Sequence, residues 1–398
     1  MPAHEIFYRK NAARPAMSHR AGAPHSMIAG RKADFYQRGN SMTLGLCMIV
    51  KDEEEVLGRC LESVRGVFDE INIVDTGSRD NTKRIASRYT DRIFDFAWNY
   101  DFAAARNDSF SHATTDYIMW LDADDVLPES SRTALIHLKN SPDFGDTDAY
   151  FLRYDAAFDG NGNPTLYFFR ERILRRACRF LWKGAVHEAM EVHGRIRREN
   201  IPIEHRKGPK KEHGRNLKIF AKLFADGTMP DERQKFYFAR ELMDNGLYDA
   251  ACSAFLYFLQ GNGWREDKIC ACRDLAACHR LCGRRNAQFA ALLQSFDYDA
   301  PRPEICCDLG DLFMQEKNYT QAIFWYRLAL NEGGRETTAG FCLPDCRGYI
   351  PYMCMCVCYD RLGDYKRASA CNEAAGKLKP QDANYLYNKR YFERRLKG

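Results

Sequence analysis

The fold is decided by one short stretch, Tyr117-Ile118-Met119-Trp120-Leu121-Asp122-Ala123-Asp124-Asp125. Its apolar first half predicts a buried β-strand, and three carboxylates come directly after that strand. Carboxylates this close together repel one another, and a bound cation would neutralise them. Because ligands of an open α/β sheet lie beyond the carboxyl ends of the strands, the stretch predicts a cation site. The alternative is a solvated acidic loop in which Asp125 or Ser130 caps a helix.

Upstream segments repeat this order of strand, polar loop and helix. Residues 43–50 (TLGLCMIV) predict a strand followed by acidic residues, and residues 70–74 (EINIV) predict a second strand that ends at Asp75. A third β segment at 92–95 precedes a helix over about 101–112. Alternating strands and helices predict an α/β fold: a mostly parallel sheet with helices on both faces and right-handed crossovers. The acids then converge on one edge of the sheet.

Motifs follow one another in these segments at compatible spacing: Met48-Ile49-Val50-Lys51-Asp52-Glu53-Glu54; Val74-Asp75-Thr76-Gly77-Ser78 with Asp80-Asn81-Thr82; Asp101-Phe102 with Ala105-Arg106-Asn107; and Leu121-Asp122-Ala123-Asp124. Together they resemble the family-two glycosyltransferases of the Rossmann-like GT-A fold, over about residues 42–205. The resemblance implies an inverting transfer of a sugar from a nucleotide-sugar donor, usually a uridine diphosphate (UDP) sugar, with Mg²⁺ or Mn²⁺ as the cofactor.

The same resemblance implies roles for individual residues. Asp75 would contact the base or ribose of the donor, Asp122 the ribose or the metal, and Asp124 would be the chief metal ligand. Arg106 would face the diphosphate, where a guanidinium and a cation lower the barrier to its departure. The full set of donor-binding candidates is Val50, Glu53, Asp75, Arg106, Asp122 and His205. Ordinary alternatives are a surface ion pair for Arg106 and a helix-dipole contact for Glu53.

An inverting transfer also needs a base that takes the proton of the acceptor. The candidates are His187 and Glu188, in the segment Trp182-Lys183-Gly184-Ala185-Val186-His187-Glu188. The Glu-Asp pair usual in family two is absent, and the His-Glu pair resembles that of a subgroup with helical repeats. Which of the two is the base therefore stays open. His187 or His205 could instead bind the metal or diphosphate, or be structural.

The second half of the chain repeats a different pattern, with turn positions at 246, 283, 317 and 363 and an insertion at 333–348. Small residues alternate with aromatic ones at helical spacing, which resembles the tetratricopeptide repeat. Stacked repeats of this kind leave a concave groove suited to an extended partner. A purely stabilising or dimerising role for the repeats is the alternative.

Four segments are expected along the 398-residue chain. They are a disordered basic tail (1–41), a GT-A glycosyltransferase domain (42–211), a connecting helix and linker (212–232) and a helical repeat domain (233–398). The tail holds seven Lys/Arg and two Asp/Glu and carries the whole net charge of +5, so a general nucleic-acid-binding surface is not expected. The tail resembles a transit peptide, although a translation start placed upstream of a genuine Met42 would also explain it.

Composition favours a cytoplasmic protein. No apolar run reaches the length of a membrane span. The 16 cysteines, many of them at helical spacing, are expected to be buried as small apolar side chains in a reducing compartment rather than in disulfides or zinc sites. Cys270, Cys272, Cys342 and Cys346 are the best metal candidates among them, but they lack the paired spacing of zinc ligands.

The layout of a transferase domain with repeats resembles the bacterial peptide S-glycosyltransferases of the sublancin type. It implies a peptide or protein acceptor held by the repeats, with a cysteine thiol as one choice of nucleophile. Two other functions stay open. One is transfer to a polysaccharide or cell-surface glycan, and the other is a repeat-based interaction protein whose transferase domain is inactive. A homodimer is compatible with all three.

Overall fold

The protein is represented by a computed structural model that describes residues 42–208, 214–332 and 340–396. The basic tail expected at 1–41 and the domain boundary expected at 211 lie outside these ranges, as do residues 333–339 of the insertion. The elements of the first range are β1 (Leu44–Val50), α1 (Leu57–Ser63), β2 (Glu70–Asp75), α2 (Thr82–Ala86), β3 (Ile93–Asp95), α3 (Phe102–Ser111), β4 (Tyr117–Trp120), β5 (Asp125–Val126), α4 (Glu129–Lys139), β6 (Ala149–Phe158), β7 (Pro164–Arg175), β8 (Trp182–Lys183), β9 (Ala189–Met190) and β10 (Ile196–His205).

Within this range, eight strands form one sheet in the order β3-β2-β1-β4-β7-β6-β10-β5, and β8 pairs with β9 separately. The first four strands are parallel, which confirms the alternating strand and helix pattern. Strand β7 runs antiparallel to both of its neighbours, β10 is parallel to β6, and β5 is antiparallel to β10. The parallel half of the sheet therefore presents the carboxyl ends of β1, β2 and β4 along one edge.

The central strands are buried on both faces, as their continuous apolar sequences predict. All four residues of β4 are buried, and so are six of the seven residues of β1. Their side chains pack against α1 and α4 in the main core cluster, which includes Leu46, Met48, Leu57, Leu61 and Leu135. A strand fixed in such a core cannot shift along its axis without exposing this apolar surface. The loops at its end are therefore held in place.

The helical half confirms the repeat pattern. Its elements are α5 (Arg215–Ala225), α6 (Glu232–Asp244), α7 (Tyr248–Gln260), α8 (Arg265–Leu281), α9 (Arg285–Gln294), α10 (Pro303–Gln315), α11 (Tyr319–Glu332), α12 (Tyr349–Arg361), α13 (Tyr365–Leu378) and α14 (Ala383–Arg395). The expected turn positions Gly246, Gly283, Lys317 and Gly363 each lie between the two helices of one pair, and all have positive φ, between 60° and 79°. Glycine suits this left-handed backbone because it has no Cβ.

The repeats are fastened to the sheet through the described part of the insertion. Cys342 exchanges two backbone hydrogen bonds with Tyr167 of β7, at 2.8 and 3.0 Å. Phe341 packs edge-on against Phe168, with ring centroids 5.0 Å apart. The helical half is thus anchored directly beside the strand that crosses the middle of the sheet.

The cysteines behave as small apolar side chains. All sixteen are free thiols, and twelve of them are buried. Burial raises the pKa of most of these thiols, as it does for Cys272, whose pKa rises to about 12. Among the described residues, the four cysteines considered as metal ligands do not form a group able to hold an ion. In the same part of the chain, no helix has the length and apolarity that crossing a bilayer requires.

Candidate active site

A cavity of about 650 Å³ lies at the carboxyl ends of β1 and β4. We call it the first cavity. Sheet loops form one side of it, and α5 and α6 contribute Arg215, Asn216, Arg233 and Tyr237 to the other. Most of the residues proposed from the sequence line it together, namely Val50, Glu53, Arg106, Asp122, Asp124, His187 and Glu188. Asp75 and His205 do not line it, but Asp75 directly precedes the lining residue Thr76, and His205 contacts the lining residue Asp124.

Hydrogen bonds join the loops that follow β1 and β2 into one wall of the first cavity. Thr76 donates its N–H to the carbonyl of Val50 at 2.9 Å, and the N–H of Glu53 donates to the Thr82 hydroxyl at 2.7 Å. Asp75 is buried and accepts hydrogen bonds from the N–H groups of Gly77 and Ser78 through Oδ1. Its Oδ2 is buried without a hydrogen-bond partner. A buried carboxylate oxygen in this condition is able to accept a hydrogen bond from a ligand.

A group suited to a metal ion lies at the end of β4. One ligand atom each from Asp124, Asp125 and His205 lies within 4.8 Å of the others. The His205 Nδ1 is 3.5 Å from Asp124 Oδ1 and is buried without a good hydrogen bond. Burial alone would lower the pKa of His205, but the two carboxylates outweigh it and raise the pKa to about 9. The group thus brings together carboxylate oxygens and an imidazole nitrogen, which are ligands of divalent cations, and a bound cation would displace the proton that the raised pKa keeps on His205.

The sequence did not single out Asp125 as a site residue, yet it fixes the shape of this loop. It is fully buried, accepts the N–H of Asp122 at 3.0 Å, and pairs with the fully buried Arg172 of β7 at 3.0 Å. The Tyr154 hydroxyl donates to its other oxygen. The sequence gives no clear signal for this pair, because Arg172 belongs to the charged run Arg170-Glu171-Arg172 and only the structure shows which of these side chains is buried.

Breaking the buried pair is expected to be costly. Arg172→Met should lower the free energy of unfolding by about 3–5 kcal/mol, because it leaves the Asp125 charge buried and unpaired. Urea unfolding followed by tryptophan fluorescence would measure this, since the Arg172 guanidinium lies 3.8 Å from the Trp120 ring. Arg65→Met is the matched control: it removes an exposed Arg–Glu pair and should cost less than about 1 kcal/mol. Equal, small losses for both variants would contradict the assignment.

Arg106 forms two ion pairs on the other side of the first cavity. It is buried on α3 and donates to Asp122 at 2.7 Å and to Glu188 at 2.6 Å. Its guanidinium also lies about 5 Å from the rings of Trp120 and Trp182. Partial burial would raise the pKa of Asp122, but Arg106 and its neighbouring arginines hold that pKa below its ordinary value. Asp122 is therefore an ion-pair partner of Arg106 in this structure and lies outside the group of Asp124, Asp125 and His205.

His187 is held by the helical half. Its Nε2 lies 2.7 Å from Oε1 of Glu241 on α6, and its ring stacks on Tyr237 with centroids 4.1 Å apart. Asn216 of α5 donates to the same Glu241 oxygen at 2.8 Å. Burial would raise the pKa of Glu241, but the hydrogen bonds from His187 and Asn216 keep it below its ordinary value. His187 itself has a positive φ of 52°, a backbone strain that these contacts maintain.

Glu241, Asn216 and Tyr237 are absent from the candidates that the sequence supplied. They lie 29 to 54 positions away from His187 along the chain. Each also fits an ordinary position on an amphipathic helix, so no local motif distinguishes them. Only the packing of α5 and α6 against the sheet brings them to the cavity.

Comparison with known families agrees with this architecture. Residues 46–201 match the sequence model of glycosyl transferase family 2, and residues 303–331, which cover α10 and most of α11, match that of a tetratricopeptide repeat. The chain therefore combines a domain similar to family-two glycosyltransferases with helices similar to tetratricopeptide repeats.

Individual relatives match parts of the chain. The SPbeta prophage-derived glycosyltransferase SunS of Bacillus subtilis is 27% identical over 165 residues, which is 41% of this chain and 37% of that protein. A TPR repeat-containing protein of Synechococcus elongatus is 44% identical over 100 residues, a quarter (25%) of each chain. An uncharacterized glycosyltransferase of Rickettsia prowazekii is 22% identical over 120 residues and 41% of its own length. The chain thus spans between a quarter and about two fifths of these relatives.

Proposed function

We propose that this chain is a metal-dependent, inverting glycosyltransferase that moves a sugar from a UDP-sugar to a polypeptide acceptor. The observation that carries the proposal is the convergence of separate segments on the first cavity. Loops after β1 and β4, helix α3 and the segment before β9 all place their polar side chains there. Sixteen free thiols are typical of a cytoplasmic protein, which is where we place this activity.

The donor would lie along the edge of the sheet. The unpartnered Oδ2 of Asp75 suits a donor N–H of the base or a ribose hydroxyl, and Val50 and Glu53 would complete that wall. Asp124 and His205 would hold a divalent cation, which when bound supplies positive charge to the diphosphate. The positive charge of Arg106 is already balanced by the carboxylates of Asp122 and Glu188. Lys51 and Arg215 are therefore better placed to meet the diphosphate directly. Both line the cavity, and neither pairs with an acid among the described residues.

His187 is our choice for the base. A carboxylate that accepts a hydrogen bond from Nε2 leaves Nδ1 to take a proton and stabilises the imidazolium that forms. Glu188 is less suited, because its Oε1 accepts a 2.6 Å hydrogen bond from Arg106 and is already engaged in that ion pair. In the transfer, the acceptor hydroxyl or thiol gives its proton to His187 and attacks the anomeric carbon from the face opposite the diphosphate. The bond from carbon to the diphosphate oxygen breaks, and its electron pair leaves with UDP.

The polypeptide nature of the acceptor is supported by the position of the repeats. Helix α6 begins the helical half and contributes Arg233 and Tyr237 to the cavity wall. An acceptor that follows the repeats would therefore reach the base without crossing the donor. Repeats of this type commonly present an extended groove to a peptide.

Hydrolysis of the donor tests the proposal without knowledge of the acceptor. The purified full chain should release UDP slowly from at least one of UDP-glucose, UDP-galactose and UDP-N-acetylglucosamine when Mn²⁺ or Mg²⁺ is present. Excess chelator should stop the release, and added metal should restore it. If the protein neither binds UDP nor hydrolyses any of these sugars, the proposal is wrong and an interaction protein with an inactive transferase domain becomes the better description.

A further inference from the structure

A second cavity of about 340 Å³ lies between β7 and the helical half. Its walls come from β7, from helices α6, α8 and α10, and from residues 340–343 of the insertion. Arg170, Arg233 and Tyr237 line both cavities. Because Tyr237 stacks on His187, the second cavity adjoins the first on the side of the proposed base.

The walls of the second cavity are mainly apolar, and its arginines already have partners. Arg170 pairs with Glu171, Arg273 with Asp308, and Arg302 with Glu266 and Asp299. Arg233 donates to the His187 carbonyl and to the Tyr237 hydroxyl. Aromatic and aliphatic side chains make up most of the remaining surface, including Phe169, Tyr237, Trp264, Ile269, Ile305 and Phe341.

Two acids of this lining, Glu304 and Asp267, make no ion pair with the described residues, and Asp267 is the more buried of the two. It is only 5% exposed, faces the cavity, and makes no hydrogen bond or ion pair with any residue that the structure describes. Burial raises the pKa of its carboxyl to about 6, although Arg233 and Arg240 oppose the rise. Asp267 lies in the first turn of α8, but attraction to a helix N-terminus is weak compared with the cost of burying a charge. Its carboxyl therefore lacks the partner that a buried charge requires.

We propose that the second cavity receives a lysine or arginine side chain of the polypeptide acceptor, with Asp267 as its counter-ion. Aromatic faces attract cations, and the aliphatic stem of such a side chain packs well against apolar walls. A neutral side chain would fill the cavity but leave Asp267 unpaired. The inference rests on the proposed transfer to a polypeptide, because an acceptor anchored here would present its nucleophile to His187.

Small fragments test the site without a known acceptor. The full chain is titrated with pentylammonium and butylguanidinium as cationic probes and with 1-pentanol as the neutral control, and binding is followed by ligand-observed NMR. The cationic probes should bind at least about tenfold more tightly than pentanol, as expected for a desolvated ion pair. Asp267→Asn should remove this preference without changing the affinity for UDP. Asp226→Asn, which removes an exposed charge outside the cavity, should retain it.

A second variant keeps the cation site testable if Asp267→Asn does not fold. Trp264→Ala removes a partly exposed aromatic wall and should weaken binding of the cationic probes several-fold. Equal affinity for pentanol and pentylammonium, or wild-type binding by Asp267→Asn, would overturn the inference. Probe binding by a chain that cannot hydrolyse UDP-sugars would contradict the proposed function and leave the cation site standing. Hydrolysis without probe binding would overturn the cation site alone.

Discussion

Asp124→Ala is expected to abolish metal-dependent turnover while leaving the fold intact. The Asp124 carboxylate lies 3.5 Å from the His205 nitrogen in the group that suits a divalent cation. Loss of an electrostatic contact to the departing diphosphate typically lowers the rate by about a hundredfold or more. The variant loses the contact with His205 but relieves repulsion among neighbouring carboxylates, so its thermal transition should stay close to that of the wild type. UDP release from a UDP-sugar, measured with saturating Mn²⁺, gives the rate.

Metal binding provides a readout that does not depend on turnover. Calorimetric titration with Mn²⁺ should show a clear loss of affinity in Asp124→Ala. The matched control is Glu55→Ala, an exposed acid from the loop after β1 that does not line the first cavity. It should bind Mn²⁺ and turn over like the wild type. Wild-type turnover in excess chelator would remove the metal from the mechanism.

His187→Ala is expected to lower kcat by about 100- to 10,000-fold, the usual contribution of a general base. The affinity for UDP should change little, because His187 is proposed to act on the acceptor proton and not on the nucleotide. UDP release from a UDP-sugar with water as the acceptor, together with titration with UDP, checks both expectations.

Companion variants separate His187 from its neighbours. Glu241→Gln should retain a fraction of the activity with an altered pH profile, because it keeps a hydrogen bond to His187 but loses the charge that stabilises the imidazolium. His193→Ala removes a histidine that packs on Phe180 outside the cavity and should be fully active. If His187→Ala turns over normally while Glu188→Gln loses only kcat, Glu188 is the base and our assignment is wrong.

The sequence predicted the sheet well because its strands carry local signals. Residues 43–50 are almost continuously apolar, residues 70–74 alternate polar and β-branched side chains, and the two segments form β1 and β2 within one residue of the expected limits. The turn residues of the repeats were predicted for the same reason, since Gly246, Gly283 and Gly363 adopt the left-handed backbone that glycine favours. Apolar period and turn chemistry are properties of a few neighbouring residues, so they can be recognised without the fold.

The sequence was less informative about contacts between distant segments. It identified His187 and Glu188 but not what holds them, and the structure pairs one with Glu241 and the other with Arg106. It also gave Asp125 no more than a capping role, whereas antiparallel pairing of β5 with β10 brings Asp125 opposite His205. Such partners depend on which elements pack together, and the sequence of either segment alone does not indicate its packing partner.

The sequence by itself determined the class of fold, the acidic edge of the sheet and the helical repeats, because burial, periodicity and turn geometry act over a few residues. Only the tertiary structure decided that α5 and α6 complete the first cavity, that Glu241 orients His187, and that Asp267 lines a second cavity beside it. The lining of the first cavity alone joins residues as distant in the chain as Ile49 and Tyr237. These relations arise when apolar faces of whole elements are buried against one another. The free energy of that burial depends on both elements, so it cannot be inferred from one short segment.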